Sequence, residues 1–337
     1  VIDALKAYID NRLLTVSDLM EYMPGPDFPT GGELIFDRNT IREIYETGRG
    51  SVRVRAKYRY LKSENLIEIY EIPYSTTVEA ILDKVAELIK AGRAKEIADM
   101  RDETDLSGLK LAIDLKRGVD PDKLMTKLYK LTPLEDAFAC NFNVLIAGTP
   151  KVLGVRQILE EWTAWRTESV RRRVYFVMKK KQDKLHLLKG LKRILLDIDK
   201  AIQIIRETEE EAEVIPNLMI GFGIDQIQAE YVAEIKLRNI NKEYILKRVN
   251  ETAALQDEIA DLEDTLNSPR RLKQILVDEL TEAARKYGEP RRTTIVYGHE
   301  LPVYEEEQAE EYPVHIFLSR EGYFKKISPQ SPVSYTH

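Results

Sequence analysis

The chain has 337 residues, of which 43% are hydrophobic and 32% charged, and its formal net charge is −6. This composition excludes a disordered chain, and no apolar run approaches the roughly 20 residues that span a bilayer. The length predicts two or three domains, because single cores stop growing at about 250–300 residues. Cys140 is the only cysteine, so no internal disulfide can form, and we expect a reducing, cytoplasmic location.

The first part of the chain alternates stiff turns and strands. Residues 24–32 read PGPDFPTGG, and because proline fixes φ while glycine supplies turns, we interpret this stretch as a rigid elbow. Residues 51–61 and 65–73 alternate apolar and polar side chains, which predicts a β-hairpin that turns at Ser63 and Glu64.

A helix, a strand and a second helix follow the hairpin. Apolar residues at helical spacing predict a helix that starts at Thr76 or Thr77 and stops at Gly92. Residues 108–117 return to a strand pattern, and the next helix has Pro121 in its first turn. The order strand, strand, helix, strand, helix predicts the α+β class, with one sheet covered by helices on one side.

Two long helices are predicted from about residue 156 onward. The apolar positions of the first helix are spaced 3, 4, 3, 4, 3, which is typical of a coiled-coil seam. They are Leu188, Leu191, Leu195, Ile198, Ile202 and Ile205. The second helix carries Leu255, Ile259, Leu262 and Leu266 and breaks at Ser268 and Pro269. A helical bundle has the same spacing, so a bundle and a long antiparallel coiled-coil hairpin are both compatible with this pattern.

A compact insert at 207–244 separates the two long helices. Within it, Asp225 and Gln228 have the spacing of a capping box at the start of a helix. After Gly288 the pattern predicts a basic linker with a strand, an acidic stretch, and a short two-stranded hairpin that turns at Gly322.

The clearest electrostatic feature is the stretch 48–62, which holds six cations and no acid. Strand side chains alternate, so the cations at 53, 55, 57 and 59 are expected on one face at intervals of about 6.5 Å, which suits a polyanion. A solvated strand face is the alternative interpretation. A second basic stretch at 166–193 and an acidic one at 207–213 show that the charges are segregated along the chain.

Catalytic and metal-binding motifs are missing from the sequence. It contains no phosphate-binding glycine loop, no dinucleotide motif and no HExxH motif. We therefore predict no catalytic residue and no metal ligand in this chain. We interpret the acids Asp102, Glu103 and Asp105 as a surface turn, and we expect His186 to pack beside the apolar seam.

Seven stretches together resemble one family, the A subunit of bacterial type IIA topoisomerases, which comprises DNA gyrase and topoisomerase IV. In chain order they read LMEYMPGPDFPTGG, IYETGRGSVRVRAK, EIPYSTTVEAILDKVAELI, MRDETD, LYKLTPLEDAFACNFNVL, IDQIQAEYVAEIKLR and EPRRTTI. The resemblance covers essentially the whole chain and does not separate gyrase from topoisomerase IV.

The resemblance implies an architecture and a place for each segment. Residues 1–165 would be an α+β tower domain with a mixed sheet, which flanks the cleaved DNA, and the elbow would connect it to the cleavage module. Segments 166–206 and 245–288 would be the arms of a long antiparallel coiled-coil hairpin. The insert 207–244 would be a small helical exit gate that dimerises, and 289–337 would lead into a C-terminal β-pinwheel.

The candidate site residues follow from this architecture. Phosphate contacts are expected from Arg49, Arg53, Arg55 and Lys57. Contacts between two copies at the gate are expected from Leu218, Met219, Phe222, Ile224 and Ile227.

The family cuts both strands of DNA through a tyrosine in an Arg-Tyr-Thr-Glu-like motif, and no such motif occurs among the 17 tyrosines here. We therefore expect a fragment that neither relaxes nor cleaves DNA by itself. The resemblance implies three partners, namely double-stranded DNA, a second copy and a B subunit, in an A2B2 assembly with ATP and Mg²⁺ on the B subunit. Two rival interpretations are a non-catalytic coiled-coil scaffold with a basic DNA-binding patch and an independent single-strand or RNA binder. The latter is disfavoured, because Tyr58 and Tyr60 alternate with the cations.

Overall fold

A computed structural model describes residues 1–236, 241–298, 313–320 and 322–327. The chain divides into two compact units. The first unit comprises Val1–Lys57, Glu71–Thr77 and Glu135–Gly298, and the second comprises Tyr58–Tyr70, Val78–Leu134 and His299–His337. Within the described residues, no helix is both long and apolar enough to cross a membrane.

The described residues form helices α1–α11 and strands β1–β12, numbered in chain order. The helices are α1 Ile2–Asp10, α2 Val16–Tyr22, α3 Arg38–Thr47, α4 Val78–Lys90, α5 Pro121–Leu131, α6 Val155–Leu195, α7 Ile198–Glu207, α8 Val214–Phe222, α9 Gln226–Ala233, α10 Lys242–Asn267 and α11 Pro269–Tyr287. The strands are β1 Glu33–Phe36, β2 Arg49–Arg55, β3 Lys57–Leu61, β4 Leu66–Glu71, β5 Ile97–Asp102, β6 Leu111–Leu115, β7 Glu135–Asn141, β8 Asn143–Ile146, β9 Thr149–Val152, β10 Thr294–Tyr297, β11 His315–Leu318 and β12 Phe324–Ile327.

The first unit contains a mixed sheet with the strand order β10-β1-β2-β7. Strand β1 pairs parallel with β10 and antiparallel with β2, and β2 pairs antiparallel with β7. Val52 and Val54 point into a core shared with helices α1 to α3 and parts of α6 and α11. The predicted α+β class with a mixed sheet is therefore confirmed.

The prediction of one strand over 51–61 is wrong. The chain breaks at the buried Ala56, and β2 and β3 join different sheets. Only β3 forms the predicted hairpin with β4, whereas β2 pairs with β1 and β7. Side-chain alternation continues through Ala56, so a local pattern cannot reveal that the two halves have different partners.

The second unit contains a second four-stranded sheet, in the order β3-β4-β6-β5, where the sequence predicted a single sheet for the whole region. Its two helices were predicted and are confirmed. Helix α4 buries Ile81, Val85 and Leu88, which lie three and four residues apart. Helix α5 is capped by Asp120, which accepts backbone N–H bonds from the first turn.

The long helix α6 runs antiparallel to α10 and α11. Residues later in α6 contact residues earlier in α10 and α11. Arg166 binds Glu279 at 2.8 Å, whereas Gln182 binds Glu263 at 3.2 Å. Leu188 and Leu191 of the predicted seam are buried against a cluster that includes residues of α10. The predicted break between the second pair of helices is also confirmed, because the Ser268 side chain caps α11.

The seam does not continue beyond Leu195, and this part of the prediction is wrong. Helix α6 ends at Leu195, and a separate helix, α7, begins where the Asp197 side chain accepts the N–H of Lys200 at 3.1 Å. Ile202 and Ile205 are 37% and 41% exposed instead of buried in a seam. Both residues do lie in a helix, as their spacing predicted. In a continuous seam a second helix would cover them, and no helix within the described ranges does so.

Helices α7, α8 and α9 form a small body that we call the tip. Its core consists of Ile194, Ala201, Leu218, Ile224 and Ala229. Helix α9 begins at the predicted capping box, in which Asp225 accepts the N–H of Gln228 at 2.9 Å and Gln228 accepts the N–H of Asp225 at 3.3 Å.

Candidate functional site

The predicted row of cations begins on β2. Its alternation is confirmed there, because Val52 and Val54 are buried and Arg49 and Arg53 are exposed. The side chain of Arg53 is 66% exposed, while that of Arg55 is only 15% exposed. Arg53 and Arg55, two residues apart on the same strand, therefore differ in how far their guanidinium groups are exposed to solvent.

A single buried carboxylate holds two of these arginines. Glu135, the first residue of β7, lies opposite Arg55 in the sheet register, and its side chain is 3% exposed. Arg53 and Arg55 each donate to one of its carboxylate oxygens. The sequence shows no acid near these cations, but the sheet brings one from about 80 residues away. Arg53 is consequently fixed in direction while its guanidinium stays accessible.

The next cation, Lys57, belongs to a more enclosed group of charges. Its side chain is 14% exposed, and its Nζ lies 2.8 Å from a carboxylate oxygen of Glu71. Burial raises the pKa of the neighbouring Glu33 carboxyl, although the charges of Lys57 and Arg55 act in the opposite direction. The structure thus separates the four predicted phosphate-binding residues into exposed ones, Arg49 and Arg53, and enclosed ones, Arg55 and Lys57.

The elbow is held by a segment from the other end of the chain, and we call this contact the clasp. The hydroxyl of Thr293 accepts the N–H of Phe28 at 2.8 Å and donates to the carbonyl of Gly31 at 3.0 Å. Thr293 is 1% exposed, so water does not compete for these bonds. The sequence indicated a rigid elbow but did not reveal that hydrogen bonds from residues 289–295 hold it.

Charged groups complete the clasp on either side of Thr293. The guanidinium of Arg291 donates to the carbonyls of Gly25 and Pro26, each at 2.6 Å. Asp27 accepts the backbone N–H of Thr293 at 2.9 Å. Burial raises the pKa of Asp27, but the N–H groups of Thr293 and Arg292 and the charge of Arg291 outweigh it and lower the pKa. Two motifs of the sequence, the elbow and EPRRTTI, therefore form one structural feature.

The acidic cluster in the second unit is a turn, as the sequence indicated. The Asp102 carboxylate accepts the N–H of Thr104 at 2.9 Å, and that of Asp105 accepts the N–H of Ser107 at 2.8 Å. Hydrogen bonds from Thr104 hold the pKa of Asp102 below its ordinary value. Among the described residues, no group of three or more histidine, cysteine, aspartate or glutamate side chains is placed to hold a metal ion.

The five predicted gate residues occupy different depths in the tip. Leu218 and Ile224 are 0% and 6% exposed and belong to its core. Met219 and Phe222 are partly buried against that core. Ile227 is 63% exposed, and Ile220 on α8 is 82% exposed. The tip therefore presents isoleucines to solvent while its other apolar residues hold it together.

His186 does not pack beside the seam as predicted. It is about half exposed, and its Nε2 lies 2.5 Å from a carboxylate oxygen of Asp225, the capping residue of α9. The N–H of Gln228 and, to a smaller extent, His186 lower the pKa of Asp225. The buried Gln228 side chain donates to the carbonyl of His186 at 2.7 Å. These polar contacts attach the tip to α6.

Comparisons with known proteins agree with this arrangement of motifs. A family model that describes the A subunit of DNA gyrase and topoisomerase IV matches residues 1–281. The chain is 35% identical over 332 residues to the A subunit of DNA gyrase from Streptococcus pneumoniae serotype 4, covering 97% of the chain and 40% of that protein. It is also 35% identical over 337 residues to the A subunit of DNA gyrase from Clostridium acetobutylicum, covering 99% of the chain and 40% of that protein.

A plant relative gives a similar result. The probable A subunit of chloroplast and mitochondrial DNA gyrase from Oryza sativa subsp. japonica is 34% identical over 336 residues, which is 98% of the chain and 36% of that protein. The chain thus spans about two fifths of the length of these relatives. With the family model matching most of its length, the chain belongs to the family of the A subunits of DNA gyrase and topoisomerase IV.

Proposed function

We propose that this chain supplies two parts of the DNA breakage-reunion subunit of an ATP-dependent type IIA topoisomerase. One part holds double-stranded DNA beside the site of cleavage, and the other is the exit gate at which two copies meet. Family membership supports the general role. The observation that carries the DNA-holding role is the exposed Arg53, which the buried Glu135 fixes on the surface of the mixed sheet.

The proposal assigns a role to each segment. Residues 1–165 act as the tower, 166–195 and 245–288 as antiparallel coiled-coil arms, and the tip, from α7 to residue 244, as the gate, while 289–337 lead toward a pinwheel. Helix α7 was predicted as part of the first arm, but it is a separate helix that packs in the tip. The antiparallel course of α6 against α10 and α11 supports the arms. The two exposed isoleucines of the tip, Ile220 and Ile227, support the gate.

The proposed partners are double-stranded DNA, a second copy of this chain and a B subunit, in an A2B2 assembly. ATP and Mg²⁺ belong to the B subunit in this proposal. A non-catalytic scaffold with a basic patch is the alternative, and the family match does not favour it.

Within the tower, the four predicted cations have two different roles. Arg49 and Arg53 are exposed and contact phosphates directly. Arg55 and Lys57 are largely enclosed, so they act mainly by fixing Glu135 and Glu71 within the sheet. Phosphate contacts position a duplex without reading its bases, and binding is therefore independent of sequence.

Replacing both Arg49 and Arg53 with alanine should weaken binding to every long duplex alike. Each lost phosphate contact lowers the magnitude of the slope of log K against log salt concentration by about 0.9. The slope of the double variant should therefore be smaller by about 1.8. The measurement is the affinity for two unrelated duplexes across a salt series. The matched control is Arg42→Ala with Arg285→Ala, two exposed arginines that pair with acids on their own helices. An unchanged slope in the Arg49 and Arg53 variant, or an equal change in the control, would show that this face is merely solvated.

A further inference from the structure

The outer face of α7 carries apolar side chains and two charges that have no partner in the described part of the chain. Asp199, Ile202 and Arg206 lie three and four residues apart and so share one stripe of the helix. All three are exposed, and Ile205 flanks them. Among the described residues, neither Asp199 nor Arg206 makes a side-chain hydrogen bond or an ion pair. This stripe has the composition of a contact surface, and the described residues leave it exposed.

The opposite face of α7 packs against the core of the tip. Ala201 is buried in the tip core, and Ile204 packs against the same core. Ile204 also lies close to α8, since a Cβ added at Gly221 would be 2.6 Å from its Cδ1. Rotating α7 to bury Ile202 and Ile205 would therefore expose the residues that hold the tip together. The outer face instead borders an open cleft of about 410 Å³, lined by Asp199, Ile202, Gln203, Arg206 and Glu207.

The order of charges on this stripe identifies what can cover it. The acid lies one turn before Ile202 and the base one turn after it. In a two-fold dimer, a residue i that contacts j on the other copy is itself matched by j contacting i. An antiparallel copy of α7 brings Asp199 opposite Arg206 twice, whereas a parallel copy brings like charges together. The stripe is therefore complementary to itself in one direction only.

We propose that α7 pairs antiparallel with α7 of a second copy. Ile202 and Ile205 then lie at the centre of the contact, and Asp199 of each copy faces Arg206 of the other. This inference rests on the proposed function, in which two copies meet at the tip, and it adds the helix, the direction and the ion pairs of that meeting.

Charge exchange between the two positions tests the pairing. Asp199→Arg alone and Arg206→Asp alone each place like charges opposite one another twice, and we expect each homodimer to be roughly tenfold weaker by sedimentation. The variant that carries both substitutions restores opposite charges and should return to within about threefold of the parent chain. The deficits of the single variants should shrink in about 0.5 M salt, because these charges are exposed.

Mixing the two single variants gives a sharper result. A heterodimer of Asp199→Arg with Arg206→Asp has two attractive pairs, so native mass spectrometry should show it in excess over both homodimers. Circular dichroism confirms that each variant remains folded, as expected for exposed positions. Failure of the double variant to recover, or random mixing of the single variants, would overturn the antiparallel pairing.

The outcomes also separate this inference from the gate proposal. If the charge variants dimerise like the parent chain but Ile220→Asp with Ile227→Asp gives monomers, then the tip is the gate and α7 is not its contact. If the parent chain itself remains monomeric at every concentration measured, the proposed gate and the α7 pairing are both wrong.

Discussion

Replacing Ile220 and Ile227 together with aspartate should weaken the association of two copies by about 100-fold or more. Burying an isoleucine side chain contributes about 1.5–3 kcal/mol, and each 1.4 kcal/mol or so is tenfold in affinity. Both side chains are largely exposed in the single chain, at 82% and 63%. Their substitution therefore changes the surface of the tip and leaves its core of Leu218 and Ile224 intact.

Sedimentation equilibrium over a range of concentrations measures this effect, with helical content checked by circular dichroism. The matched control is Leu106→Asp with Leu145→Asp, since these two leucines are also exposed but lie outside the tip. We expect the control to associate like the parent chain. A tip variant that dimerises with unchanged affinity would exclude α8 and α9 from the contact between copies.

Thr293→Val should lower the free energy of unfolding of the first unit by about 2–4 kcal/mol. Valine has nearly the shape of threonine, so the change removes two hydrogen bonds without leaving a cavity. The N–H of Phe28 and the carbonyl of Gly31 both lose the Thr293 hydroxyl. A buried polar group left without a partner costs about 1–3 kcal/mol, which is more than the net value of the bond it replaces.

Denaturant unfolding followed by tryptophan fluorescence reads out this change. Both tryptophans, Trp162 and Trp165, lie on α6 in the first unit, so the signal reports that unit. Thr294→Val is the matched control, because Thr294 is exposed and we expect its substitution to change stability by less than about 0.5 kcal/mol. Equal stability of the two variants would mean that the clasp does not depend on the Thr293 hydroxyl.

Features encoded within a few residues were predicted well from the sequence. The start of α9 was predicted from Asp225 and Gln228, which cap each other three residues apart. The break between α10 and α11 was predicted from Ser268 and Pro269. Such signals depend on the local backbone alone, so tertiary packing does not need to be known.

Features that depend on distant partners were not predictable. Glu135 lies about 80 residues from the arginines it binds, and no local pattern connects them. The seam failed at Ile202 for a related reason, because spacing shows which side chains share a face but not whether another helix covers that face. The same limit applies to residues 51–61. Their alternation correctly predicted two-sided strands, but it gave no sign that the chain changes from one sheet to another at Ala56.

The clasp has a consequence for how the chain is made. Strand β1 can pair with β2 soon after both leave the ribosome, but its parallel neighbour β10 is synthesised much later. Phe28 and its partner Thr293 are 265 residues apart. At about 5–20 residues per second, the elbow waits about 13–50 s for the segment that holds it. During that interval one edge of β1 lacks its native partner and is open to other strands, so mispairing at this edge is a hazard for the nascent chain.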